Sequence, residues 1–236
     1  MKIIKPGEPC YRVDLGRREY REIWDLQKKL VECRQSGVIP DVLLLVEHPP
    51  TYTLGRGGKP EHLLSGTEEL EEAGAVLIPT DRGGDITYHG PGQIVGYPIV
   101  DLMHVEPDVH LYLRCLEEVL IRTLVRFDID ATREEGLTGV WHKRGKVAAI
   151  GVRVARWVTS HGFALNVKTD LGYFERIIPC GIVGKAVASM ETIIDKPVSM
   201  DGVAEVLVEE FGCVLQRSMR TVSESDLLRE VHVQVG

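Results

Sequence analysis

The chain has 236 residues, five cysteines and a formal net charge of −7. That length suits one large domain with a sizeable core, and the acidic balance disfavours a general nucleic-acid binder. The longest apolar runs, such as residues 42–46, are far too short to cross a bilayer, and the first ten residues carry no long apolar stretch with a cleavage site, so a cytoplasmic protein is expected.

Along the chain, residues 10–16 read as a strand. Residues 18–37 read as an amphipathic helix, with Tyr20, Ile23, Trp24, Leu30 and Val31 near helical spacing and Gly37 ending it. Residues 42–56 read as two extended pieces broken by Pro49 and Pro50. Ser65 and Glu68 have the spacing of a capping box for a short acidic helix. Residues 75–82 and 93–102 read as buried strands on either side of a glycine-rich loop. A second strong helix is predicted over 109–127, then consecutive strands over 139–142, 146–158 and 160–167, and helix from about residue 200. This mixed order predicts an α/β (α+β) fold, a sheet with helices packed on it, in a single domain.

The segment 81–93, DRGGDITYHGPGQ, is the densest in unusual residues. Its glycines let backbone approach a ligand closely, while Arg82, Thr87, Tyr88 and His89 supply polar and aromatic groups. It lacks the phosphate-loop pattern, and residues 55–60 fail the dinucleotide fingerprint because position 60 is proline. The cysteines (Cys10, Cys33, Cys115, Cys180, Cys213) are scattered and odd in number, without a CxxC pair, which argues against a disulfide framework and a zinc knuckle. The eight histidines include no HExxH, so no metal is expected. His161 reads as a hydrogen-bonded strand histidine more than as a catalyst.

Strict alternation over the strand at 146–154 puts Lys146 on one face with Ala148, Ile150, Val152 and Val154. Partial desolvation there would favour a neutral amine able to act as a base. The other face carries Ala149 and Gly151, and the next strand carries Gly162 and Ala164, small residues that leave room for something thin against the sheet. Cys180, between Pro179 and Gly181, is a thiol on a turn. Cys180 and Lys146 form a coherent nucleophile and base, because a shared proton leaves one thiolate and one ammonium. Residues 136–169 contain no Asp or Glu but include Lys143, Arg144, Lys146, Arg153, Arg156 and Lys168, a basic segment that suits an acidic partner.

Together the segments RGGDITYHGPGQIVGYPIVDL, KVAAIGVRV, HGFALNV and IIPCGI closely resemble the lipoate-pathway octanoyltransferases, over about residues 11–215. The remainder, about 216–236, reads as a C-terminal extension. The resemblance implies a fold of the biotin/lipoyl protein ligase type, related to class II synthetase cores. It implies a Cys/Lys dyad at Cys180 and Lys146, and substrate contacts at Arg82, Gly83, Gly84, Asp85, Ile86, Thr87, Tyr88 and His89, at Ala149, Ile150 and Gly151, and at Gly162, Phe163 and Ala164. It implies octanoyl-acyl carrier protein as donor, and apo lipoyl domains and the glycine cleavage H-protein as acceptors, with no cofactor, nucleic acid or membrane. An ATP-dependent lipoate or biotin ligase of the same fold and a non-catalytic carrier-docking module are the competing readings. Strict alternation conflicts with the implied site, since it separates Lys146 from Ala149 and Gly151. A bulge at Gly151, or regular strand starting after Lys146, would reconcile them.

Overall fold

The computed structural model describes residues 8–105, 107–179 and 185–233. The chain opens with β1 (Pro9–Arg17), α1 (Tyr20–Gln35), β2 (Asp41–Glu47) and β3 (Thr51–Leu54). Then come α2 (Thr67–Glu72), β4 (Val76–Pro79), β5 (Ile86–His89), β6 (Gln93–Ile99) and α3 (Val109–Val125). Strands β7 (Thr132–Glu134), β8 (Leu137–His142), β9 (Gly145–Ala155) and β10 (Val158–Asn166) precede α4 (Met190–Ile194), α5 (Met200–Leu215), β11 (Ser218–Thr221) and α6 (Glu224–Val233).

The alternation in β2 explains the layering. Leu43 and Leu45 enter one core, and Val42, Leu44 and Val46 enter another on the opposite face. A strand apolar on both faces must be covered on both sides. It lies inside an eight-stranded sheet of order β11-β1-β2-β6-β10-β9-β8-β7. Strand β1 is parallel to β2 and β11, and the remaining neighbours are antiparallel, which makes the sheet mixed. Side chains of α3 and α5 fill the core on one face (Leu116, Leu120, Leu207, Phe211), and those of α1 and α6 fill the other (Ile23, Leu30, Leu227, Val231). Helix α3 starts where Asp108 accepts hydrogen bonds from the His110 and Leu111 backbone N–H groups. Among the described residues no helix is long and apolar enough to cross a membrane.

A second sheet of three strands, β4-β3-β5, stands apart from the first. Strand β4 is an exposed edge with Val76 half-exposed, contrary to the buried strand expected over 75–82. The capping box at Ser65 is likewise absent: α2 begins after Gly66, and no side chain caps it. Both misreadings concern the same peripheral layer, where little core enforces the local pattern. The space between the two sheets is where the unusual residues meet.

Candidate active site

Lys146 sits near the start of β9, and a bulge decides which way it points. Val140 pairs with Ala148 but Trp141 pairs with Lys146, so one residue of β8 is matched by two of β9. The extra residue, Val147, turns into the α3/α5 core beside Ala148. Two successive side chains on one face reverse the parity of everything before them. Lys146 therefore shares the opposite face with Ala149 and Gly151 and lines one cavity with them. The expected reconciliation is present, at Val147 and not at Gly151.

The Lys146 side chain is buried (7% exposed). Its Nζ lies 5.1 Å from the centroid of the Trp141 ring, within cation–π range. Its backbone is held from outside the sheet, the N–H donating to the Ala186 carbonyl and the C=O accepting from the Ala188 N–H, each at 2.9 Å. Farther back in the chain, Ile178 N–H donates to the His62 carbonyl at 2.8 Å, and Pro179 lines a small cleft together with Lys146, Thr87, Asn166 and Val187. The chain is thus fastened beside Lys146 on both sides of residues 180–184. Cys180, the expected nucleophile, lies outside the described residues.

The cavity has a volume of about 220 Å³ and lies between β9 and β10 of the large sheet and the loop leading into β5. The loop is drawn onto the sheet by a hydrogen bond from Gly83 N–H to the Val152 carbonyl (2.9 Å). That approach requires Gly151: a Cβ there would stand 2.7 Å from the Gly83 carbonyl oxygen. The space over Gly151 that the sequence suggested for a ligand is thus partly filled by the loop itself. Arg82 is buried, its guanidinium donating to Thr53 Oγ1 (3.1 Å from Nε), to the Thr53 and Asp85 carbonyls (2.6 Å each) and to the Gly83 carbonyl (3.0 Å). A positive charge is held rigidly in the cavity wall. Asp85 receives the Ile86 N–H at 2.7 Å and pairs with His62, so it works as a loop brace.

At the other end of the lined face, β10 carries His161 opposite Val152, beyond Gly162 opposite Gly151. His161 has φ of +56°, a left-handed conformation uncommon for a non-glycine residue in a strand and costly unless its surroundings enforce it. Its N–H donates to Gln27 Oε1 of α1 at 2.7 Å. Nε2 lies 2.7 Å from Asp81, which also pairs with Arg153 at 3.1 Å. The acceptor at Nε2 makes Nδ1 the ring's lone pair, facing the Tyr20 hydroxyl at 3.3 Å. Burial lowers the His161 pKa, against the opposing pull of Asp81. Burial alone would raise Asp81, but the His161 hydrogen bond and the charges of His161 and Arg153 bring it below its ordinary value.

Two further imidazoles flank this end. His48 Nδ1 donates to the Arg18 carbonyl (2.7 Å), leaving Nε2 to accept from Tyr97 (2.8 Å). Gln93 donates to the Tyr88 carbonyl and to Asn166, so its Oε1 accepts from His89 Nδ1 at 2.8 Å. Burial pushes His48 down to about 4 and His89 down to about 3, and both are neutral near pH 7.

The structure brings Lys146, Arg82, Gly84, Asp85, Ile86, Thr87, His89, Ala149, Ile150, Gly151, Gly162, Phe163 and Ala164 to the cavity. Ile150 and Phe163 only border it, because their side chains belong to the α3/α5 core. Tyr88 faces away, stacked on Tyr173 at 4.7 Å in a separate small core with Tyr52 and Phe174. Gly83 bridges to β9 without lining the cavity. Sequence reading missed Tyr20, Val95, Tyr97 and the 136–138 stretch as wall residues. Tyr20 carried the one available signal, an aromatic at the first turn of a helix. Among the described residues no group of three or more His, Cys, Asp or Glu side chains could hold a metal ion.

The basic segment does not form one patch. Lys143 and Arg144 are exposed in the β8–β9 hairpin, where Arg144 bonds the Thr192 carbonyl. Arg153 and Arg156 lie at the far end of β9, bound to Asp81 and Gln35.

A family model described as the lipoyl protein ligase A/B catalytic domain matches residues 19–212. An octanoyltransferase from Solibacter usitatus is 49% identical over 210 residues, covering 89% of this chain and 94% of its own. A bipartite lipoate protein ligase from Thermoplasma acidophilum, studied with its E2 lipoyl domain, superposes with a TM-score of 0.74 at 19% identity, covering 96% of this chain and 93% of that one. A biotin protein ligase from Aquifex aeolicus superposes at 0.52 with 14% identity, covering 87% and 70%. These two likenesses show the fold.

Proposed function

Because the chain belongs to the lipoyl protein ligase A/B catalytic-domain family, we propose that it transfers an octanoyl group from a thioester on acyl carrier protein to a lysine of an apo lipoyl domain or H-protein. It is an acyltransferase of protein lipoylation, as its octanoyltransferase relatives are named. In the proposed chemistry Cys180 thiolate attacks the thioester carbonyl after Lys146 takes the thiol proton. The carrier leaves as a thiol, reprotonated from Lys146. An acceptor lysine amine then attacks the acyl-Cys180 thioester, Lys146 takes the proton released, and an amide forms. Thioester to thioester to amide runs downhill, so no ATP is consumed.

One observation carries this reading: the Val147 bulge turns Lys146 into a cavity beside which Pro179 and residues 186–188 are fastened. A base there stands next to the chain that bears Cys180. The acyl chain would lie along the small residues Ala149 and Ala164, beside the part of Gly151 that the loop leaves uncovered. The paired polar groups around His161 would form the wall opposite Lys146. Exposed Lys143 and Arg144, on the hairpin next to Lys146, suit docking of an acidic carrier. The deciding measurement is intact mass after mixing with octanoyl-carrier in the absence of ATP. An added octanoyl group, lost in Cys180→Ala, is expected. Acylation of a lipoyl domain that requires free octanoate and ATP and survives Cys180→Ala would make the chain a ligase, and binding of carrier without any adduct would make it a docking module.

A further inference from the structure

Glu117 lies in the middle of α3, and its side chain is completely buried. A buried carboxylate is expensive unless paired. Here Oε2 receives Arg114 Nη1 at 2.6 Å and Arg133 Nε at 3.1 Å. The second oxygen, Oε1, accepts the backbone N–H of Gly139 at 3.1 Å. That N–H belongs to β8 and lies just before the point where the β8–β9 register shifts. A bulge interrupts the ladder locally, and the carboxylate supplies an acceptor where the partner strand is irregular.

Gly139 is also the surface on which the Lys146 side chain rests. Its φ is +122°, and a Cβ there would stand 2.5 Å from Lys146 Cε, 3.2 Å from Nζ and 2.7 Å from the Ala148 carbonyl oxygen. Any shift of Gly139 moves the ammonium's support directly. A chain of contacts thus runs from two guanidiniums through one buried carboxylate and one backbone N–H to the lysine. Glu117 does not line the cavity.

We propose that Glu117 is a positioning residue for Lys146, holding Gly139 so that the side-chain nitrogen points into the cavity. This rests on reading Lys146 as the proton acceptor. The mechanism requires Nζ within hydrogen-bond reach of both the thiol and the incoming amine, and small displacements of such a group cost on the order of 10²-fold in rate.

The test compares Glu117→Ala, Glu117→Gln and Lys146→Ala in the full-length protein, with rates taken per folded molecule after a thermal melt. Glutamine keeps an oxygen for Gly139 but not the charge; alanine keeps neither. The expected result is a kcat for Glu117→Ala lowered by about 10- to 100-fold with KM for octanoyl-carrier changed less than about twofold. Glu117→Gln should recover most of the rate. Combined with Lys146→Ala, Glu117→Ala should cost nothing further, because its effect passes through the lysine. A folded Glu117→Ala enzyme with unchanged kcat overturns the proposal, as does an equal further loss in the Lys146→Ala background. If Glu117→Ala does not fold, Glu117→Met, which fills the volume without an acceptor, replaces it; if neither folds, the carboxylate is a general anchor of the fold and the positioning role is rejected. An active Lys146→Ala enzyme would instead remove the proton-acceptor reading itself.

Discussion

The two ends of the cavity are built on opposite principles. At the His161 end the polar groups are tied to one another: Asp81 to His161 and Arg153, the Tyr20 hydroxyl to His161, and Tyr97 to His48. The strain of a left-handed histidine is held there by Gln27 and Asp81. At the Lys146 end a bulge turns one lysine side chain into the cavity, over a glycine whose backbone N–H is held by a carboxylate behind the strand. A wall needs polar atoms whose hydrogen-bonding capacity is already used, so that an apolar chain can lie against them. A side chain proposed to accept a proton needs its backbone fixed and its nitrogen directed into the cavity.

The sharpest way to break the comparison is at the reactive end. Lys146→Arg keeps the charge but cannot accept a proton and places a bulkier head against Gly139. General-base contributions of this kind are about 10²–10⁴-fold, and a fall of that size in kcat is expected with octanoyl-carrier, alongside complete loss in Cys180→Ala. Retention of most activity in Lys146→Arg would reduce the lysine to an electrostatic role.

The closed end should show itself in stability. His48 and His89 titrate at about 4 and about 3 in the folded protein because burial disfavours the imidazolium. Unfolded, they bind protons near pH 6.5, so between these values the unfolded state holds more protons. Stability is therefore complete above about pH 6.5 and falls as pH drops, at about 1.4 kcal/mol per pH unit for each histidine. Urea unfolding at pH 7, 6, 5 and 4.5 measures this slope. Substituting His48 by phenylalanine should flatten it by about one proton's worth, and an unchanged slope would show that other groups govern the acid limb.

His161→Ala joins the two ends in one experiment. It removes a buried partner of Asp81 and leaves the Tyr20 hydroxyl without that bond, a loss of about 1–3 kcal/mol in stability. Acylation of Cys180 at saturating carrier should fall far less than in Lys146→Arg. Equal losses in the two variants would erase the distinction between wall and reactive end.

The smallest effect concerns docking. Lys143→Glu with Arg144→Glu should raise KM for the carrier a few-fold, with a weaker salt dependence, and leave kcat alone. A small octanoyl thioester should not respond. Arg153 and Arg156 are occupied by Asp81 and Gln35, so reversing Arg156 should leave the carrier KM near the wild-type value. Identical salt slopes for all variants would remove docking from the hairpin.

Much of this protein was legible in its sequence. The long helices α1 and α3 announced themselves by apolar spacing, and β2, β6, β9 and β10 by dense β-branched and aliphatic runs, because local periodicity reports which faces will be buried. The four motif segments named the family and most of the residues that line the cavity, Gly83 and Tyr88 excepted, since glycines and polar groups at fixed offsets let backbone elements approach closely. Tertiary structure decided what local pattern cannot encode. Alternation alone put Lys146 on the wrong face, because a bulge is set by the pairing of two strands, and the carboxylate that accepts the Gly139 N–H comes from a helix 22 residues earlier. The direction of Tyr88, the division of the basic segment between the two ends of β9, and the joining of Tyr20, Asp81 and His161 were also hidden. Each depends on partners distant in the chain, and only the folded sheet brings them within hydrogen-bonding or packing distance.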